Sequence, residues 1–133
     1  MKIILDAMGG DNAPEAVVLG ALGAAKDFHT EIILVGRGEE ILAAMKKNGI
    51  SDLPAGVAIA NADDVVDMHD DPAAVLHKRK NSSMVVGLKM LAEGQGDAFV
   101  SAGSTGALLT AATLVVKRVK GIRRAAMAPA MPN

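Results

Sequence analysis

The chain contains no cysteine, tyrosine or tryptophan, and only 2% of its 133 residues are aromatic. Without cysteine it has no disulfide, no thiolate metal ligand and no cysteine nucleophile, and its composition is that of a chain suited to a reducing cytosol. Without stacking rings, the usual device for gripping single-stranded nucleic acid is missing, and no nucleic-acid-binding motif is present. Long hydrophobic runs are missing as well. The greasiest helical stretch, residues 104–118, spans about 22 Å at 1.5 Å per residue, short of the roughly 30 Å of a bilayer core. Met1-Lys2 leads directly into a strand-like run, with no secretory pattern. The expectation is a cytoplasmic protein.

What is present is an apolar half: 50% of the residues are hydrophobic, enough for a real core at this length. The net charge of −1 conceals a split. Up to Leu76 there are 5 Lys/Arg against 13 Asp/Glu, a balance of −8; from His77 onward there are 9 against 2, a balance of +7. Such a split can create a directed field, or two solvated faces that offset each other.

Apolar runs at Lys2–Ala7, Glu31–Gly36, Val57–Ala60 and Ala98–Ala102 read as strands, and a fifth is expected over Arg124–Met131. Between them lie helical patterns. Val18, Ala21, Leu22 and Ala25 share one face, with Pro14 in the first turn and Asn12 or Ala13 near the cap. Glu39–Lys47 stops at Asn48-Gly49, and Asn81-Ser82-Ser83 offers a cap for a helix carrying Met84, Leu88 and Leu91. Asp63–Arg79 resists assignment, although Pro72 could open a short helix. Strands alternating with helices imply one α/β domain over residues 1–133, a mostly parallel sheet with right-handed crossovers and helices on both faces, in three layers. The abrupt stop after a strand-like segment suggests a truncated domain.

In such sheets ligands bind beyond the carboxyl ends of strands. The first such end carries Asp6-Ala7-Met8-Gly9-Gly10-Asp11-Asn12. Gly9 and Gly10 let backbone amides approach an anion, and a helix follows with its positive end. Asp6 and Asp11 would repel a bare phosphate but can fix the loop by accepting amide hydrogen bonds. The bland reading is a tight turn with a cap. The fourth strand repeats the pattern in Gly103-Ser104-Thr105-Gly106, a phosphate cradle without the P-loop lysine, or simply a Ser/Thr cap. Two such ends in one sheet can converge.

Other patterns carry less. Gly36 and Gly38 lack the third glycine of a dinucleotide fingerprint, so no nucleotide cofactor is expected. Asp63–Asp67 is acidic without the all-helical context of a magnesium site, and His29, His69 and His77 lack metal spacing, so no metal is expected either. His77-Lys78-Arg79-Lys80 and the cluster Lys117–Arg124 are basic runs that solvent or an acidic partner could satisfy.

Taken together, DAMGGDNAP at Asp6–Pro14, RKxSSM at Arg79–Met84, SAGxTGA at Ser101–Ala107 and KGIxR at Lys120–Arg124 resemble, in order, the bacterial PlsX family, the acyl-[acyl-carrier-protein]:phosphate acyltransferases. The resemblance covers the whole chain but only the amino-terminal part of those longer proteins. Ser104 stands where asparagine is common, and Ala125 where proline is common. The resemblance implies a fold like phosphotransacetylases and isocitrate dehydrogenases. It also implies transfer of a fatty acyl group from acyl-carrier-protein to inorganic phosphate for phospholipid synthesis, by a cytosolic homodimer working near the membrane surface. On this reading Asp6, Gly9, Gly10, Asp11, Asn12, Gly103, Ser104, Thr105 and Gly106 hold phosphate. His77, Lys78 and Arg79 assist chemistry, and Arg123 and Arg124 dock the acidic carrier protein. A phosphotransacetylase-like enzyme using acyl-coenzyme A and a non-catalytic phosphate-binding fragment are the alternatives.

Overall fold

In the computed structural model, which describes residues 1–131, four strands form a wholly parallel sheet in the order β3-β2-β1-β4. The strands are β1 (Lys2–Asp6), β2 (Glu31–Gly36), β3 (Val57–Asn61) and β4 (Ala98–Val100). Helix α1 (Glu15–Phe28) links β1 to β2, and α2 (Gly38–Lys47) links β2 to β3. A short α3 (Val75–Lys78) and then α4 (Ser83–Ala92) carry the chain across to β4, and α5 (Thr105–Val115) follows.

Alternation along the strands separates two cores. Ile32 and Leu34 of β2 face α1 and α2, where Val18, Leu22, Ile41 and Met45 meet them. Val35, with Ile4 of β1, faces the other way, against Val86 and Met90 of α4. A third cluster joins α3, α4 and α5 through Val75, Val85, Leu88 and Ala107. Helices therefore cover both faces, giving the three layers expected of a parallel sheet. Residue 34 pairs in register with Leu5 on one side and Ile59 on the other, so β2, like β1, is an interior strand paired on both sides.

Local signals explain the helix ends. Glu39 and Glu40 occupy the first turn of α2 and Lys46 and Lys47 its last, both favourable to the helix dipole. The Ser82 hydroxyl oxygen accepts from the Val85 amide at 3.3 Å and starts α4. His29 ends α1 in the left-handed region, with φ 50°.

Four expectations need correction. Pro14 is the cap residue of α1 rather than part of its first turn, its carbonyl accepting the Val18 amide at 2.9 Å while its ring has no group to make a side-chain cap bond. Strand β4 ends at Val100, because Ser101 turns away to bond Asp6. Helix α5 ends at Val115, ahead of Lys117 with φ 72°. No fifth strand forms over Arg124–Met131, where the described residues are exposed and Pro129 has no amide to give a ladder. Pro132 and Asn133 lie outside the described residues. Among the described residues no helix is long and apolar enough to cross a membrane.

Leu34 is fully buried. Leu34→Ala is expected to lower unfolding stability by about 2–5 kcal/mol in a denaturant titration. Val119→Ala, at a position 78% exposed, should stay within about 0.5 kcal/mol.

Candidate anion site at the carboxyl ends of β1 and β4

Asp6, the last residue of β1, is 2% exposed. Its Oδ1 accepts the Met8 amide at 3.1 Å, closing the turn after the strand. Its Oδ2 accepts the Ser101 hydroxyl at 2.7 Å, just past β4. Ser101 Oγ in turn accepts the Gly103 amide at 3.1 Å. One buried carboxylate therefore ties the two strand tips together, through donors from both loops. A carboxylate left buried without donors would cost several kcal/mol, so this tie fixes both loops at once.

The tie leaves no room between the loops. A Cβ built on Gly9 would sit 2.7 Å from Asp6 Oδ2 and 2.9 Å from both the Gly103 nitrogen and Ser101 Oγ, so only glycine fits. Gly10 has φ 103°, a conformation that side chains disfavour. Among the described residues, the amides of Gly9, Gly10 and Ser104 find no protein acceptor. At α5 the Ser104 hydroxyl oxygen accepts the Ala107 amide at 3.4 Å, a cap that leaves its hydrogen free to donate and leaves the Thr105 and Gly106 amides in the open first turn.

Beside these loops lies a cleft of about 320 Å³. Gly10, Asp11 and Gly103 line it from the two tips, and Arg37, Asp64 and Arg79 from the other walls. Arg37, at the end of β2, donates from Nε to the Asp63 carbonyl at 3.0 Å and from Nη1 to Glu40 at 2.9 Å. Arg79 bonds Asp70 through Nε at 2.9 Å and Asp64 through Nη1 at 3.2 Å. The Arg79 bond holds the Asp70 carboxyl below its ordinary range, helped by the Asp67–Asp70 backbone contact. Asp70, then the charge of Asp64, raises the Arg79 guanidinium above its own. Both guanidiniums on the cleft wall are thus already engaged.

The remaining sequence-predicted residues separate. Asn12 is exposed beside the first loop, and its carbonyl accepts the Ala16 amide. Thr105 and Gly106 are exposed at the start of α5, with Gly106 close to Pro72. His77 and Lys78 are exposed on α3 and do not line the cleft, whereas Arg79 does. Arg123 and Arg124 lie on the exposed segment after α5, also away from the cleft lining. Three residues at the site carry no plain sign of it in the sequence: Ser101 falls within the expected fourth strand, Arg37 between the glycines of an incomplete dinucleotide pattern, and Asp64 in an acidic run. Glycines flanking Arg37 at a strand end were the one available signal.

The chain as a whole has relatives. The whole of residues 1–133 matches the family model described as fatty acid synthesis protein. The chain belongs to that family. It is 44% identical over 134 residues to the phosphate acyltransferase of Bacillus licheniformis, and 47% identical over 133 residues to that of Thermotoga neapolitana. Each match takes in 100% of this chain but only 39% and 37% of the relative's length, respectively. Among solved structures, a phosphotransacetylase from Streptococcus pyogenes is similar, with a TM-score of 0.64 and 25% identity, over 93% of this chain and 40% of that one. The fold is therefore the three-layer α/β architecture of that enzyme, in part.

The Asp6–Ser101 tie makes a direct prediction. Ser101→Ala removes a donor from a buried carboxylate and should cost about 1–3 kcal/mol of unfolding stability, whereas Ser101→Thr, which keeps the hydroxyl, should recover most of it.

Proposed function

We propose that this chain provides the phosphate-holding part of an acyltransferase that moves a fatty acyl group from an acyl-carrier-protein thioester to inorganic phosphate. The observation that carries the reading is the convergence of two amide-rich loops at one strand-end cleft, tied by Asp6 and Ser101. The relatives' shared name, phosphate acyltransferase, gives the reaction class.

Phosphate dianion is already a nucleophile near neutral pH, so no covalent enzyme intermediate is needed. A phosphate oxygen attacks the thioester carbonyl carbon and forms the new C–O bond. The carbonyl oxygen becomes a tetrahedral oxyanion. Collapse breaks the C–S bond, and sulfur leaves with the electron pair. What the protein supplies is placement and electrostatic support, worth most in a site with fixed donors. The unspent amides of Gly9, Gly10 and Ser104, with the first turn of α5, hold phosphate. Asp6 acts through the loop and not on the ligand. Asp11 borders the same cleft, and Asn12 and Thr105 flank it. Arg79, held by Asp64 and Asp70, offers a fixed positive charge at the wall. A thiolate leaves without help, so the exposed position of His77 and Lys78 is compatible with the reaction. Arg123 and Arg124 steer the acidic carrier protein by charge at long range. The active form on this reading is a cytosolic homodimer that meets its lipid-bound product chemistry at the membrane surface.

A second reading rests on the phosphotransacetylase likeness: the same cleft could serve acyl-coenzyme A. Thiol release measured with acyl-carrier-protein and with acyl-coenzyme A, each with phosphate, separates the two. The assay is run on this chain and on a form extended to the relatives' full length. Preference for the carrier protein supports the first reading, preference for coenzyme A the second, and no release from either thioester by the extended form rejects both. In the extended form, Gly10→Val should raise KM for phosphate by about tenfold or more, a loss of about 1.4 kcal/mol, with KM for the thioester little changed.

A further inference from the structure

Arg79 follows α3 and brings its guanidinium to the wall of the anion cleft. A guanidinium has five N–H donors. Three are spent: Nε on Asp70 Oδ2 at 2.9 Å, Nη2 on Asp70 Oδ1 at 3.2 Å, and Nη1 on Asp64 Oδ1 at 3.2 Å. The other two have no acceptor among the described residues, on a side chain that lines the cleft together with Gly10 and Gly103.

Asp70 stands apart from the other acids nearby. Asp11, Asp64 and Asp67 line the cleft, and Asp70 does not. It takes one edge of Arg79 with both oxygens, the paired geometry that fixes a guanidinium in orientation as well as in place. Asp70 is itself held. Its Oδ2 accepts the Asp67 amide at 2.8 Å, and its own amide donates to the Asp67 carbonyl at 3.1 Å. That turn carries Asp67 and Met68, which belong to the same wall. Upstream, the Asp64 carbonyl accepts the Ser83 amide at 3.0 Å and ties the segment to α4. One carboxylate outside the cleft thus sets both a stretch of its wall and the arginine on it.

We infer that Asp70 is a positioning residue of the anion site, holding Arg79 so that its two unspent N–H groups meet the phosphate gripped by the loop amides. The inference rests on the phosphate reading above. It runs against simple charge. A carboxylate near an anion repels it, so on Coulomb terms alone its removal tightens phosphate binding. Held geometry gives the opposite sign, since each ligand must order a loosened arginine afresh. Asp70 stays on Arg79 when phosphate binds, because the donors it uses are not those the anion takes.

The test is a double-mutant cycle on phosphate affinity, read from the Gly10 and Ser104 amides of the ¹⁵N-labelled chain at constant ionic strength. Arg79→Gln should weaken binding about fivefold or more, and Asp70→Asn about threefold. The double variant should match Arg79→Gln alone within about twofold, since Asp70 acts only through Arg79. Asp70→Glu, which keeps a carboxylate, should retain most of the affinity. Asp27→Asn, at the far end of α1, should change nothing. A second readout uses the unaltered chain: the Arg79 Nε–H signal should stay protected from exchange with water and shift along the same phosphate curve as Gly10. Tighter binding by Asp70→Asn, additive losses in the double variant, or an Arg79 signal that phosphate does not move would each overturn the inference and leave the phosphate site standing. No phosphate binding by the unaltered chain would overturn both.

Discussion

A carboxylate that is almost wholly shielded from water must be given hydrogen bonds from its surroundings, and Asp6 draws them from two distant parts of the chain. The Met8 amide belongs to the loop after β1. Ser101 belongs to the loop after β4, 95 residues away in sequence. Satisfying Asp6 therefore requires β4 to lie beside β1, and it sets the spacing of the two loops. Gly9 follows from the same constraint, since any side chain there would strike Asp6, Ser101 and Gly103 together. The cleft, its free amides and the start of α5 are consequences of that contact.

The electrostatics of the cleft are less generous than the basic half of the chain suggests. Its wall has Arg37 and Arg79, but Glu40, Asp64 and Asp70 already pair with them. These pairs are partly exposed and add little to stability. Their use is geometric: they hold guanidinium groups in fixed places. Asp11, Asp64 and Asp67 line the same cleft. An anion there depends on directed amides more than on net charge, as at other helix-start sites.

Much of the architecture was legible because it rests on periodicity. The run Glu31–Gly36 is bounded by turn residues and buried on both faces, and it forms β2 over the expected span. The α2 boundaries follow from acidic and basic ends and the Asn48-Gly49 stop. Periodicity failed where tertiary partners decide the outcome. Arg124–Met131 had apolar content but pairs with no strand and has a proline within it. Residues 63–79 were unreadable because their shape depends on Arg79 reaching Asp64 and Asp70, and on backbone bonds from Asp64 to Asn81 and Ser83. The glycine loops of the site could be picked out from composition and position. That Asp6 organises them, with Ser101 as its partner, could not, since a hydrogen bond across the sheet leaves no local pattern.

The central claim is that two loops, held by one buried carboxylate, present their amides to a single anion. A ¹H–¹⁵N spectrum recorded while inorganic phosphate is added, against sodium chloride at matched ionic strength, tests it most directly. The account predicts that the amides of Gly9, Gly10, Ser104 and Thr105 move together along one saturation curve that chloride does not reproduce. Shifts confined to one loop, two curves with different midpoints, or the same response to chloride would contradict it.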